Sequence, residues 1–278
     1  MMKYLSSIVL SCILLLISGC TPDLSIRAKK TDEVALPAGF QKKLVRGGDF
    51  VITTYQRISD TNKPYVFYIE GDGTIAYYRG GPLEDNPTPY KVMLLKLAIM
   101  DNRPNIVYVA RPCQFTPMEL NPCCTHDHDY WVNKRFAEEV VESMNAVISS
   151  ISGKQLISLI GFSGGGGIAV LVAARNSNVK DIITIAGNLD TDGFSSYHNS
   201  YALKASLNPL DYAVHIRDVP QLHLSGEEDQ IVPPQIANMY VKASASNCVK
   251  HKIFPDISHT KGWEYIWQDV LKIPLTCR

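Results

Sequence analysis

The sequence has no charge of either sign to spare. Its 27 Lys and Arg balance 27 Asp and Glu over 278 residues, charged residues are only 19% of the chain, and no basic run occurs. The electrostatic footprint that nucleic-acid binding requires is therefore missing. There is no internal repeat and no low-complexity stretch. The apolar run Ile8 to Ile17 is about half of the roughly 20 residues that a membrane-spanning helix needs. The hydrophobic share, 46%, is ordinary for a globular chain and excludes disorder, collagen and coiled coil. The length suggests one large domain or two small ones.

The first twenty residues differ from the rest. Met1-Met2-Lys3-Tyr4 brings one positive charge, Ile8 to Ile17 a short apolar core, and Ser18-Gly19-Cys20 small residues. This is the layout of a secretory signal, with an uncleaved anchor as the alternative. Ile17-Ser18-Gly19-Cys20 resembles the bacterial lipobox. The resemblance implies that Cys20 is diacylated on sulfur and becomes the mature N-terminus, anchored in the cell envelope by two or three acyl chains. Thr21 in place of Asp implies, by resemblance to lipoproteins of diderm bacteria, the outer membrane, facing the periplasm. Residues 1–19 then read as signal peptide, 20–40 as a lipidated N-terminus and polar tether, and 41–278 as the folded domain. The last has enough chain for one well-buried core.

Seven Cys are present. Cys12 leaves with the signal and Cys20 carries lipid. Cys113, Cys123, Cys124, Cys248 and Cys277 remain. An oxidising compartment permits two disulfides and one spare. The expected pairs are Cys248 with Cys277, and Cys113 with either Cys123 or Cys124. Cys123, Cys124, His126 and His128 also offer a metal site. Their spacing lacks a C-x-x-C pair, and export favours a stapled loop, so no metal is expected. That loop reads as a rim of the site. Arg111, at its start, either binds an anion or anchors the loop, and Trp131 reads as packing.

Strand-like and helix-like segments alternate through the domain. Lys43 to Ile58 reads as a hairpin turning at Gly47-Gly48. Strands are expected at Tyr65–Ile69, Asn105–Ala110, Gln155–Ile160, Val179–Ala186, Gln221–Leu224 and Val249–Phe254. Helices are expected at Tyr90–Met100, Trp131–Ile151, Gly164–Ala174, Pro234–Ala245 and Trp263–Leu271. Asn188 to Val219 reads as irregular, a small cap at most. In the long helix, Phe136, Val140, Met144, Val147 and Ile151 recur every three or four residues and form one apolar face. Fully apolar strands alternating with helices predict a mostly parallel sheet covered on both faces, an α/β fold. Functional residues then sit beyond the carboxyl ends of the strands.

One expected strand runs into Gly161-Phe162-Ser163-Gly164-Gly165 and then a helix. This is G-x-S-x-G between strand and helix, the context of a nucleophile elbow. Side chains at Gly161 or Gly165 would collide with strand and helix, and the helix N-terminus points free N–H groups at a developing oxyanion. No Lys follows as in a P-loop, and dinucleotide spacing is poorly matched. After a later strand stands Gly226-x-x-Asp229-x-x-Val232-Pro233, and after the last strand stands His259. Ser, acid and His in this order resemble the α/β-hydrolase superfamily. The resemblance implies a parallel sheet with a small cap or none, Ser163 as nucleophile, Asp229 as acid and His259 as base. Glu228 and Asp190 are the alternative acids. His251 lies within a strand and is expected to face solvent or a helix. His215 and His223 precede or lie in other strands.

The same resemblance implies an oxyanion hole from the Gly164 N–H and one N–H of Glu70-Gly71-Asp72-Gly73, with Asp72 the donor and its carboxylate turned away. Glu70 stands where the family has His. Together these imply an acyl-enzyme serine hydrolase for an ester, thioester or amide, taking a small-molecule or acyl substrate and no cofactor. Its contact with the membrane is through the lipid. Three alternatives stand beside it: an acyltransferase with the same triad, a non-catalytic envelope lipoprotein that binds through this fold, and a metal-dependent envelope protein. Substrate identity and oligomeric state are not written in these residues.

Overall fold

In the computed structural model the described residues are 24–75, 82–126 and 128–277. The signal sequence, Cys20 and Thr21 lie outside them. Gln41–Gly47 (β1) and Phe50–Ile58 (β2) pair as the expected hairpin, with Gly47 opposite Phe50. Gly48, at φ +54°, makes the turn, a conformation that glycine adopts without steric cost. The other strands are Tyr65–Ile69 (β3), Asn105–Val109 (β4), Ile157–Phe162 (β5), Val179–Ile185 (β6), Gln221–Gly226 (β7) and Val249–Phe254 (β8). They form one sheet in the order β1-β2-β4-β3-β5-β6-β7-β8. The pairs β1–β2 and β2–β4 are antiparallel, so β2 alone runs against the others; every pair from β4 to β8 is parallel.

Helices cover both faces: Leu24–Ala35 (α1), Met93–Ile99 (α2), Cys123–His126 (α3), Glu138–Ser152 (α4), Gly164–Ala173 (α5), Thr191–Tyr197 (α6), Pro234–Ser244 (α7) and Trp263–Val270 (α8). Strand side chains alternate between the two resulting cores. Phe67, Ile69 and Leu159 join Val140, Val147 and Ile236 on one face. Tyr68 and Ile160 join Leu94, Leu97 and Trp267 on the other. Burial on both faces is why the central strands read as continuous apolar runs.

Four sequence expectations change. Residues 24–35 are not part of a free tether. They form α1, which buries Arg27, Thr31 and Ala35 against the domain. The long helix starts at Glu138, not Trp131. The backbone just before it bonds elsewhere: the Arg135 carbonyl accepts from Arg111 Nη2, and the Phe136 N–H donates to Ser206 Oγ at 3.0 Å. Likewise α2 begins at Met93, which leaves Tyr90 and Lys91 in a loop. Within 188–219 a short helix, α6, is capped by Asp190, whose carboxylate accepts from the Gly193 N–H at 3.0 Å.

Cys248 is bridged to Cys277 as expected, and Cys113 is bridged to Cys124 rather than Cys123, which takes no part in either bridge. Metal ligation by Cys124 is therefore closed while that disulfide is intact, and the side chain of His126 lies outside the description. Trp131 is buried packing.

Arg27 explains why α1 docks. Its guanidinium donates to Glu84 at 2.7 Å, to the Thr88 carbonyl at 2.7 Å and to the Asn86 carbonyl at 3.1 Å, and lies 3.7 Å from the centre of the Tyr90 ring. Arg27 and Glu84 are each only 3% exposed in their side chains, so neither tolerates loss of the other. We expect Arg27→Ala to lower unfolding free energy by about 3 kcal/mol or more, read by denaturant unfolding. Unchanged stability would show that α1 is not part of the fold.

Candidate active site

Ser163 joins β5 to α5 at φ 51° and ψ −120°, a region that residues other than glycine rarely occupy. The strain is held by hydrogen bonds. The Ser163 N–H donates to the Ile185 carbonyl at 2.9 Å, and its own carbonyl accepts from Gly166 at 3.0 Å and from Asn188 at 2.9 Å. The flanking glycines are required by close approach. A Cβ on Gly161 would strike the Gly165 carbonyl, and one on Gly165 would strike the Ile69 carbonyl. Both collisions are those expected from the sequence.

The acid loop follows β7 and the histidine loop follows β8. Asp229 is buried, and its Oδ1 accepts from the N–H groups of Ile231 at 2.8 Å and Val232 at 2.9 Å. Its Oδ2 lies 2.8 Å from His259 Nδ1. A carboxylate so placed accepts from Nδ1–H and leaves Nε2 available to take a proton. Trp263 Nε1 donates to the Ser258 and His259 carbonyls, both at 3.1 Å, and fixes the loop. The His259 ring packs 4.9 Å from that of Phe162, next to Ser163. Ser163 and His259 line one cavity of about 310 Å³.

The alternatives are occupied otherwise. Asp190 caps α6, and Glu228 is exposed. His251 Nδ1 is 2.8 Å from Asn238 Oδ1 on α7 and its Nε2 is 2.9 Å from Ser225 Oγ. His223 is wholly buried beside Thr184 Oγ1 at 2.8 Å, and burial pushes its imidazole down to about 3.

On the opposite wall, Asp72 and Gly164 adjoin: a Cβ on Gly164 would strike the Asp72 carboxylate. The two backbone N–H groups expected to make the oxyanion hole are thus on neighbouring residues. The Asp72 carboxylate has not turned away from the site, however. It lies against Gly164, and two guanidinium groups hold it, Arg111 Nη1 on Oδ1 and Arg135 Nη1 on Oδ2, both at 3.1 Å. These cations offset the repulsion that a bare carboxylate would exert on an oxyanion. Arg111 therefore anchors the wall. Gln114 Nε2 supports it further by donating to the Gly71 carbonyl at 2.9 Å. Among the described residues, none from 112 to 131 lines this cavity, so the stapled loop backs the oxyanion wall rather than rimming the site.

Glu70 is buried beneath the same loop. It accepts from the Gly71 N–H at 2.8 Å and from the Tyr108 hydroxyl at 2.6 Å, and burial pushes its carboxyl up to about 7. Arg135, Asn188, Phe194, Tyr90 and Lys91 also line the cavity and were not found from the sequence. Arg135, Tyr90 and Lys91 lay inside expected helices, and Asn188 and Phe194 in the segment read as irregular. A larger hollow, about 990 Å³, lies between α1, β1 and residues 82–86 and contains none of the expected catalytic residues; Ser163 and His259 line the smaller one.

The family described as serine hydrolase (FSH1) matches residues 90–254, more than half of the chain. No curated protein matches by sequence. Solved structures match in fold at low identity. The Pyrococcus horikoshii acylaminoacyl peptidase superposes with TM-score 0.56 at 17% identity, over 79% of this chain and 38% of that one. A Pyrococcus furiosus esterase gives TM-score 0.58 at 11% identity, over 84% of this chain and 89% of that one. A puromycin hydrolase mutant in complex gives TM-score 0.58 at 15% identity, over 84% of this chain and 38% of that one. This chain thus spans well under half of the peptidase and the puromycin hydrolase, but most of the esterase. The fold is that of the α/β-hydrolases.

The Glu70 carboxyl makes stability depend on pH. Its folded value, about 7, lies above the ordinary 4.5, so the folded state holds a proton that the unfolded state has released. That stabilisation is complete below 4.5 and is lost as pH rises through 7, on the order of 3 kcal/mol. His223 acts oppositely, losing stability as pH falls below 6.5. We expect the stability of wild type relative to Glu70→Gln to decline between pH 5 and 8 in denaturant titrations; a difference independent of pH would overturn this assignment.

Proposed function

This chain belongs to the serine hydrolase (FSH1) family, and from that premise we propose that it cleaves a carboxylic ester, thioester or amide through an acyl-enzyme on Ser163. The observation that carries the reading is the buried Asp229 carboxylate on His259 Nδ1 at 2.8 Å, with Ser163 on a strained turn in the same cavity. Ser163 Oγ attacks the substrate carbonyl carbon and gives its proton to His259 Nε2. Asp229 holds the imidazole tautomer and stabilises the imidazolium. The carbonyl oxygen, now anionic, accepts from the Gly164 and Asp72 N–H groups. Collapse of the intermediate breaks the bond to the leaving group, which takes the proton from His259. Water then attacks the acyl-enzyme by the same route and restores Ser163.

A second proposal concerns place. Cys20 carries lipid that holds the chain at a bacterial envelope membrane, the outer one, facing the periplasm, in a diderm cell. Ile17-Ser18-Gly19-Cys20 supports it, as do two disulfides, which suit an oxidising compartment.

Two experiments test these readings. A fluorophosphonate probe should label wild type, and Ser163→Ala and His259→Ala should abolish labelling. Asp229→Asn should slow it roughly 10³- to 10⁴-fold. Folded wild type that resists the probe would sink the catalytic reading. In a detergent phase-separation assay, wild type should enter the detergent phase and Cys20→Ser the aqueous phase. Equal partitioning would refute the lipid anchor.

A further inference from the structure

The wall beside Ser163 holds more positive charge than it neutralises. Arg111 and Arg135 are 4% and 8% exposed, and both are paired with the single carboxylate of Asp72. The next carboxyl, Glu70, is half protonated near neutral pH, and Asp229 is engaged by His259. Lys91 adds a further cation to the cavity lining; its Nζ donates to Thr260 Oγ1 at 3.1 Å. Buried charge is ordinarily matched by opposite charge, and here two buried guanidinium groups share one carboxylate.

Hydrogen-bonding capacity is missing at the same place. Arg135 uses Nη1 on Asp72, and its Nε has no acceptor among the described residues. Asn188, 1% exposed and on the same cavity lining, has neither Oδ1 nor Nδ2 bonded. Buried polar groups in folded proteins nearly always have partners. A guanidinium with one unmatched N–H and a wholly unmatched amide thus adjoin one cavity. The remaining walls are largely apolar, with Met93, Leu94, Phe162 and Phe194. A cavity of about 310 Å³ is at the small end for ligand sites. That volume, and a guanidinium already half engaged, suit a planar carboxylate better than a tetrahedral dianion.

We propose that this cavity takes substrates bearing a carboxylate a few atoms from the scissile carbonyl, with Arg135 receiving the carboxylate and Asn188 the neighbouring polar atoms. A monoester of a short dicarboxylic acid is the simplest member of the class. The inference rests on the serine-hydrolase reading and narrows its substrate.

The test is a ratio of kcat/KM values for two matched pairs: p-nitrophenyl hemisuccinate against p-nitrophenyl valerate, and 3-carboxyphenyl butyrate against phenyl butyrate. In at least one pair, wild type should prefer the charged ester over its match by about tenfold or more. Arg135→Met should bring that ratio to within about threefold of unity while Arg135→Lys keeps part of it. Because the readout is a ratio, a general loss from a loosened Asp72 cancels. Free glutarate should also slow fluorophosphonate labelling of wild type where butyrate at equal concentration does not, a measurement that needs no variant. Neutral esters preferred in both pairs, an equal effect of Arg135→Met on charged and neutral esters, or no protection by glutarate would each overturn the proposal. If labelling persists in those cases, the hydrolase reading stands and only the substrate class fails. If wild type does not label at all, both fall.

Discussion

The structure depends on one close approach of backbone to backbone. Where β5 passes into α5, Gly161 meets the Gly165 carbonyl, and Gly165 meets the Ile69 carbonyl at the end of β3. No side chain fits at either point. The approach holds Ser163 in a conformation that it would not adopt alone, at φ 51°. It also brings β3's loop against the helix start, where a Cβ on Gly71 would sit 3.2 Å from that of Ser163. Strain at Ser163 is thus sustained by two strands and a helix that are otherwise fully packed.

Electrostatics divides the acidic residues around this point by environment. Asp229 accepts from two backbone N–H groups and holds His259 Nδ1. Glu70 accepts from one backbone N–H and the Tyr108 hydroxyl, and burial pushes its carboxyl up to about 7. Asp72 sits nearest Gly164 and is held by two arginines from different parts of the chain. Three carboxyl groups thereby sit in three different settings: on a histidine, beneath a loop, and between two arginines beside Gly164.

The wall of the cavity is also joined to α1. Arg27 of α1 binds Glu84 and the carbonyls of Asn86 and Thr88. The same loop supplies Pro89, Tyr90 and Lys91 to the cavity lining, and its Pro87 carbonyl accepts from the Thr74 N–H at 3.1 Å, just after the oxyanion loop. The segment that reads as a tether by composition is in this way a support for the site. The arginine that fixes it is buried and bonded through both of its terminal nitrogens.

Much of this was legible in the sequence. The sheet was readable because strands buried on both faces must be apolar along their length, as Tyr65–Ile69 and Ile157–Phe162 are. The positions of Ser163, Asp229 and His259 were readable because each follows a strand in a loop whose glycines or prolines punctuate it. What stayed hidden depends on contacts between residues distant in sequence. Nothing local distinguishes Arg135 from a solvated helix residue, since its meaning comes from Asp72, 63 positions away. Nothing local separates Cys123 from Cys124, since adjacent thiols differ only in direction. The start of α4 is set by Ser206 and Arg111, which capture backbone that helical periodicity would have claimed. The sequence alone determined which residues the chain presents beyond its strands, because periodicity and turn chemistry are local. Only the tertiary structure decided which charges meet there, because pairing among buried groups is settled by packing across the whole chain.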